Sequence, residues 1–416
     1  MADLSFGPFS VDVAATRVVR HGIDLRLRPR AFHALKVLAL NSGKLVSYEQ
    51  MIAQAWDGVS VSRHTVDVTV GEVRKTLREY GCWISHRRKV GYCLEVPGSE
   101  QLIKKGWHYR AQATREGYER ALTCFEQAAR EDDHNFDAFH GAAHCCLALA
   151  VHGMRPPREM YTRFLAAHER AEALGGPTPE LRINRAHGLH MFERRLVEAE
   201  VELLATLREQ PTLAWAYVPT TMLYASWGRL DEALDVLDRA HKVDPLLPHL
   251  PALETFVRVC RRETDTAMGC GRRAVELHPH LQVGRIFYAL ALEEAGHLDE
   301  SLEQIRIARA LSPDLPWLCV IEGICLVKHG QKHAAHARLD EIEETRASEY
   351  VDAYFMAALR EALGDRHAAF AELERAIDEN SAALFALDVD PKMDPFRSDR
   401  RFSRLRNKVF EAALAH

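Results

Sequence analysis

The chain has 416 residues, of which 47% are hydrophobic and 27% charged, and a formal net charge of −5. That composition supports folded cores over two or three domains and excludes a disordered or collagen-like chain. It contains no apolar run of about 18 residues, and its start, MADLSFGPFS, lacks the charged and apolar regions of a secretion signal, so a cytoplasmic protein without a membrane partner is expected. Nine cysteines with no Cys-x-x-Cys pair read as free thiols in a reducing compartment. Charge is distributed unevenly. Residues 1–98 hold 14 Lys/Arg against 9 Asp/Glu, net +5, and the remainder is net −10. A basic head on an acidic body points to different partners for the two parts.

Along the first thirty residues, short apolar and polar alternation broken by Gly, Pro and Asp predicts a small antiparallel sheet with a turn near His21–Gly22. The stretch AFHALKVLALNSG then places Phe32, Leu35, Leu38 and Ala39 on one helical face and closes at Gly43. In SYEQMIAQAW, Ser47 and Gln50 fit a capping box, with Met51, Ile52, Ala55 and Trp56 as the buried stripe. A third helix follows in RHTVDVTVGEVRKTLREYG. Val66, Val70, Val73 and Leu77 share its buried face, and Thr65, Val68, Gly71, Glu72 and Lys75 lie opposite, flanked by Arg74 and Arg78. WISHRRKVGYCLEV reads as a hairpin with Arg87, Arg88 and Lys89 at its tip, where cations grip phosphates.

Trp56, VDVTVGEVRKTL and ISHRRKVGY, in that order and spacing, resemble the bacterial OmpR/PhoB-type winged-helix DNA-binding domain over residues 3–96. The resemblance implies an α+β winged helix-turn-helix over residues 1–98, a recognition helix at 63–79 and a wing at 84–94. It also implies double-stranded promoter DNA as partner, with contacts from His64, Val68, Thr69, Gly71, Glu72, Arg74, His86, Arg88 and Tyr92. Thr65, Lys75, Arg78, Arg87 and Lys89 join them on exposed charge and position. The chain departs from the family where Gly71 and Glu72 replace basic residues and His86–Lys89 replaces the usual wing sequence, which moves positive charge from helix to wing. For Glu72 two readings stand: an acceptor for a cytosine amino group, or a solvated carboxylate that repels phosphate. With no receiver domain before the head, aspartate phosphorylation is not the expected input.

From residue 101 the sequence is helical and periodic. Pro177, Pro211, Pro245, Pro279 and Pro313 are 34 residues apart, as are Ala199, Ala233, Ala267, Ser301, Ala335 and Ala369. Gly228, Gly296, Gly330 and Gly364 keep the same period, with Arg262 at the skipped turn. This pattern resembles the tetratricopeptide repeat, an all-α superhelix in which small residues let paired helices approach and Pro opens each unit. About eight units over 101–381 and a C-terminal capping segment over 382–416 are expected. Winged helix and repeat array together are similar in plan to the HilA-like transcriptional regulators.

Family register puts Trp215, Val218, Met222, Phe256, Val259, Val283, Ile286, Leu290, Trp317, Val320, Ile324 and Val327 on the inner groove of the array. An exposed apolar face of that extent marks a site for a protein, peptide or apolar ligand; the alternative is self-packing against an insertion or the tail. No nucleotide-binding, hydrolase or metalloprotease motif is present, so neither enzymatic activity nor a cofactor is expected. His140, His144, Cys145 and Cys146 offer a metal-like spacing but read as ordinary helix residues, and no metal is expected. The resulting expectation is a DNA-binding regulator acting with RNA polymerase, with homo-oligomers open. A scaffold that does not bind DNA and a small-molecule-sensing regulator are the competing readings.

Overall fold

The computed structural model describes residues 4–6, 9–12, 15–20, 23–25, 27–78, 83–95 and 98–414; the His21–Gly22 turn lies outside them. It divides into two compact units, Met1–Cys145 and Cys146–His416. The division falls inside the helix Phe136–Val151. The helix pair Ser99–Arg110 and Arg115–Glu131 therefore belongs with the head rather than with the later repeats.

In the first unit, strands β1 (Leu4–Phe6), β2 (Phe9–Asp12), β3 (Arg17–Arg20) and β4 (Ile23–Asp24) pair antiparallel in sequence order. Helix α1 (Pro29–Leu40) starts on a proline, whose fixed φ suits a first turn, and ends before Gly43 at φ 76°. Strand β5 (Leu45–Ser47) leads into α2 (Tyr48–Ala55) through the expected capping box. Ser47 Oγ accepts from Gln50 N, and Gln50 Oε1 accepts from Ser47 N at 2.9 Å. Helix α3 (Arg63–Arg78) is followed by the hairpin β6 (Trp83–Arg87) and β7 (Gly91–Glu95). Its stripe is buried as expected: Val66, Val70, Val73 and Leu77 join Phe32, Leu35, Leu38, Met51, Trp56 and Leu94 in one core. Full burial of each such side chain stabilises the fold by about 1.5–3 kcal/mol.

β5 was not foreseen, because three residues are too few to show an alternation. It pairs with β7, giving the order β5-β7-β6. Gly91 makes that pairing possible: a β-carbon there would stand 2.0 Å from the carbonyl oxygen of Val46.

The second unit repeats one motif. Helix pairs occupy Ala214–Ser226 with Leu230–Val243, His249–Cys260 with Thr264–Leu277, and Gln282–Glu294 with Leu298–Leu311. Trp317–Lys328 with Lys332–Arg346 and Ala353–Ala362 with Arg366–Asp378 continue it. The periodic small residues sit at the helix contacts. Ala199, Ala233, Ala267, Ala335 and Ala369 are 0% exposed and Ser301 1%. No room exists there for a larger side chain.

The groove expected to be open is filled. After the last pair, residues Ala382–Ala386 and Pro391–Phe396 form short 3-10 turns that bury Ala382, Leu384, Ala386, Pro391, Met393 and Phe396. Val218, Phe256 and the half-buried Met222 share a core with Phe385, Ala386 and Val389. Val320 and Ile324 share another with Leu384, Leu387, Met393 and Phe396, and Trp317 and Val327 pack at its edge. Val259 and Leu290 pack on Ala267 and Met268, between helices rather than in a groove. Trp317 stacks on Phe355 at 4.9 Å and donates from Nε1 to the His152 carbonyl oxygen at 3.1 Å. Val283 and Ile286 are half-buried. Trp215 alone of the twelve keeps a large exposed area, 39%, and its ring meets His249 edge-on. The exposed apolar face is therefore corrected to self-packing. The tail is also more than an end cap: residues 382–396 plug the array, while the helix Arg400–Leu414 covers its end through Phe402, Leu405 and Val409.

Candidate nucleic-acid interface

The face of α3 opposite its buried stripe is open. His64, Thr65, Val68, Gly71 and Lys75 are exposed, Val68 to 60%, and Thr69 is half-buried with its hydroxyl donating to the Thr65 carbonyl oxygen at 2.9 Å. A β-carbon at Gly71 would meet nothing within 4 Å, so the backbone there is accessible to a groove. Ser62 caps the helix start, its Oγ accepting from Thr65 N at 3.2 Å. Arg78 ends the helix, and its side chain lies outside the described residues.

The wing carries the free charge. Arg87, Arg88 and Lys89 are exposed around the β6–β7 turn, which is closed by Val90 N donating to the Arg87 carbonyl oxygen at 2.9 Å. Lys89 has φ 64°, where glycine is easier, so the turn holds a cation at the tip at some conformational cost.

Four expected contact residues turn out to be engaged within the protein. Tyr92 is 3% exposed, and its hydroxyl donates to Asp67 Oδ1. Arg74 donates from Nε to the Ile84 carbonyl oxygen at 2.7 Å and lies 5.7 Å over the Tyr92 ring. His86 stacks on Tyr92 at 4.6 Å, with Nε2 3.0 Å from the Tyr48 hydroxyl. Because that hydroxyl gives its proton to Asp67 at 2.6 Å, His86 donates from Nε2. Glu72 accepts from Arg28 N at 3.4 Å and lies 3.7 Å from the Arg28 guanidinium, tied to the start of α1. Tyr92 and Arg74 thus support the wing from within the protein. Glu72 is a half-buried ion-pair partner rather than a free base-reading carboxylate.

Asp67 is the hub that sequence reasoning passed over. Burial pushes its carboxyl up, but the hydroxyls of Tyr48 and Tyr92 outweigh this and hold it below the usual carboxylate range. Tyr92 is pushed up by burial and by the bond to Asp67, so it stays neutral. One carboxylate thus fastens recognition helix, α2 and wing. The only sequence signal for it was its place in VDVTV, between the buried Val66 and the exposed Val68.

The model for the family "Transcriptional regulatory protein, C terminal" matches residues 22–94. The head is an OmpR/PhoB-type winged helix. It is 30% identical over 95 residues to the transcriptional activator CadC of Escherichia coli, 22% of this chain and 19% of that one. It is 29% identical over 72 residues to the regulatory protein KdpE of Mycobacterium tuberculosis, 17% of this chain and 32% of that one. The match thus spans about a fifth to a third of those relatives' lengths. The winged helix of the head is followed, in the same chain, by a helical array of tetratricopeptide type. The helical fold is similar to that of the human IFIT1 dimer with PPP-AAAA, at TM-score 0.53 and 14% identity over 79% of this chain and 82% of that one.

His140, His144, Cys145 and Cys146 are not gathered into one ligand cluster among the described residues. His144 pairs with Arg110 at 2.7 Å, His140 packs on Trp107, and Cys145 and Cys146 are buried, so the four do not converge on a metal. Asp132, Asp133 and His134 cluster in an exposed turn, as acidic groups commonly do without an ion. No described helix is long and apolar enough to cross a membrane.

Proposed function

We propose that this chain is a transcriptional regulator whose head docks the open face of α3 in the major groove of promoter DNA. The exposed cations Arg87, Arg88 and Lys89 hold the flanking phosphates. The observation that carries this reading is the division of labour at the interface. Arg74, His86 and Tyr92 help fasten the wing to α3, while Lys75, Arg87, Arg88 and Lys89 have no ion-pair partner among the described residues. His64, Thr65, Val68, Thr69 and Gly71 face the bases, and the exposed Val68 methyls suit a thymine methyl. Duplex DNA as partner places the protein in the cytoplasm. Its effect on transcription passes through RNA polymerase at the same promoter, with self-association on DNA as one route. The helical array is the half that responds to a partner or ligand.

Titrating the full chain with labelled duplex DNA at rising salt tests the reading. The logarithm of the association constant should fall linearly with the logarithm of salt, at a slope of about −0.9 per neutralised phosphate. A flat salt response would favour a scaffold that does not bind DNA.

A further inference from the structure

Arg194 stands where the repeat elsewhere uses glycine. Gly228, Gly296, Gly330 and Gly364 turn between paired helices at φ 75°, 80°, 80° and 91°; Arg194, 34 residues before Gly228, adopts φ 58°. A non-glycine residue in the left-handed region is strained, and such strain persists where the surroundings impose it. The turn before it, Leu189–Glu193, is π-helical, a rare insertion common at functional sites.

Arg262 provides the internal control. It occupies the same turn position at φ 63°, but its guanidinium meets two carboxylates, Asp394 at 2.7 Å and Glu294 at 3.4 Å. Arg194 has no such pair. It is 4% exposed, its Nη2 donates to the Ser381 carbonyl oxygen at 2.8 Å, and its enclosed Nη1 has no hydrogen-bond partner among the described residues. Asp352 attracts it but accepts from Ser381 Oγ and Tyr354 N instead. Burial drops Arg194 to about 9, so it is still cationic at neutral pH and under-compensated.

A cavity of about 370 Å³ lies beside it, where residues 158–194 meet residues 377–409. Arg158 and Lys408 join Arg194 in the wall, and Phe192, Leu384 and Val409 supply an apolar side. Glu193, the one carboxylate in the wall among the described residues, is neutralised by Arg185, Arg195 and the Tyr161 hydroxyl. We propose that this cavity binds a small organic anion, a carboxylate or phosphate on an apolar body, with its charge met by Arg194, Arg158 and Lys408. The volume is that of a small-ligand site. The ligand would bridge the start of the second unit to its tail and so report its own presence through the array. The proposal deepens the reading of the array as the responsive half.

Calorimetry on the full chain without DNA tests it, so that its failure is separate from a failure of DNA binding. The probes are phenyl phosphate and phenylacetate, with benzyl alcohol as the uncharged control. At least one anion should bind while the alcohol does not, and which anion binds separates phosphate from carboxylate. Arg158→Gln and Lys408→Gln should each weaken that binding by about tenfold, the loss of one charge-assisted contact. Arg194→Gly restores the residue that other repeats use at this turn, so it should fold and yet lose the anion. Anions that bind no better than the alcohol overturn the proposal. So does unchanged affinity in all three variants, or an Arg194→Gly chain with lowered Tm and unchanged affinity, which would make Arg194 only a clamp on the tail.

Discussion

The head and the array are built by the same device, a helix with one apolar stripe, but they treat the other face of that helix in opposite ways. In α3 the second face is polar and small, and it stays open. In the first helix of several pairs of the array the second face is apolar, and the chain's own tail closes it through Phe385, Leu387, Met393 and Phe396. A face that is left open is a candidate for recognition. A face that is filled belongs to stability, whatever its register in the repeat. The same contrast appears among the arginines: those at the wing tip are exposed, whereas Arg194 is buried against Ser381 and Arg262 pairs with Asp394 of the tail.

The sharpest way to break this comparison is to empty the plug. Phe396→Ala removes a fully buried ring and should cost about 3–5 kcal/mol, read as a lower urea midpoint. If the midpoint barely moves, the tail is an optional occupant and the groove is a partner site after all. Trp317→Ala should likewise lower Tm by several degrees, about 2–4 °C per kcal/mol in a domain of this size, whereas Trp215→Ala, at the exposed edge, should leave Tm nearly unchanged.

Next in size is the hub. Asp67→Asn keeps the shape but weakens the charge-assisted bonds from Tyr48 and Tyr92, at a cost of about 1–3 kcal/mol. The sign with pH follows from its depressed carboxyl. Its stabilisation is present above the unfolded-state value and is lost as pH falls through the folded one, below about 3.9. Acid unfolding of the head, followed by near-ultraviolet circular dichroism, should therefore be less steep in the Asn variant than in the parent. Equal steepness would show that Asp67 does not link protonation to the wing.

Smaller effects separate anchors from readers. Replacing Arg87, Arg88 and Lys89 by Ala should weaken binding to every duplex and flatten the salt slope by about one per lost phosphate contact. Val68→Ser should change the preferred base at one position with little loss of overall affinity, as a selection from random duplexes would reveal. Glu72→Gln should raise affinity slightly for all sequences without altering preference, because its carboxylate is turned to Arg28. A shifted preference in that variant would return Glu72 to the base-reading set.

Much of this was legible in advance because periodicity is a local property. The spacing of Val66, Val70, Val73 and Leu77 dictates a buried stripe. The capping box at Ser47 starts a helix, and small residues every 34 positions dictate paired helices, whatever lies elsewhere in the chain. Strand β5 escaped because three residues carry no period, and its pairing with β7 rests on Gly91 leaving room for the Val46 carbonyl. Tyr92, Arg74, His86 and Glu72 look like surface contacts in a one-dimensional reading. Whether each meets DNA or a neighbour depends on groups 10 to 44 positions away in the chain.

The sequence by itself determined the longer elements, the repeat and the family of the head, because these follow from short-range spacing and from motifs in order. Only the tertiary structure decided which faces stay open. Residues 382–396 lie far along the chain from many of the helices they cover, and no period links Phe256 to Phe385 or Arg194 to Ser381. Burial is a property of what arrives from a distance, and a tail long and apolar enough to fill a groove turns a recognition surface into a core.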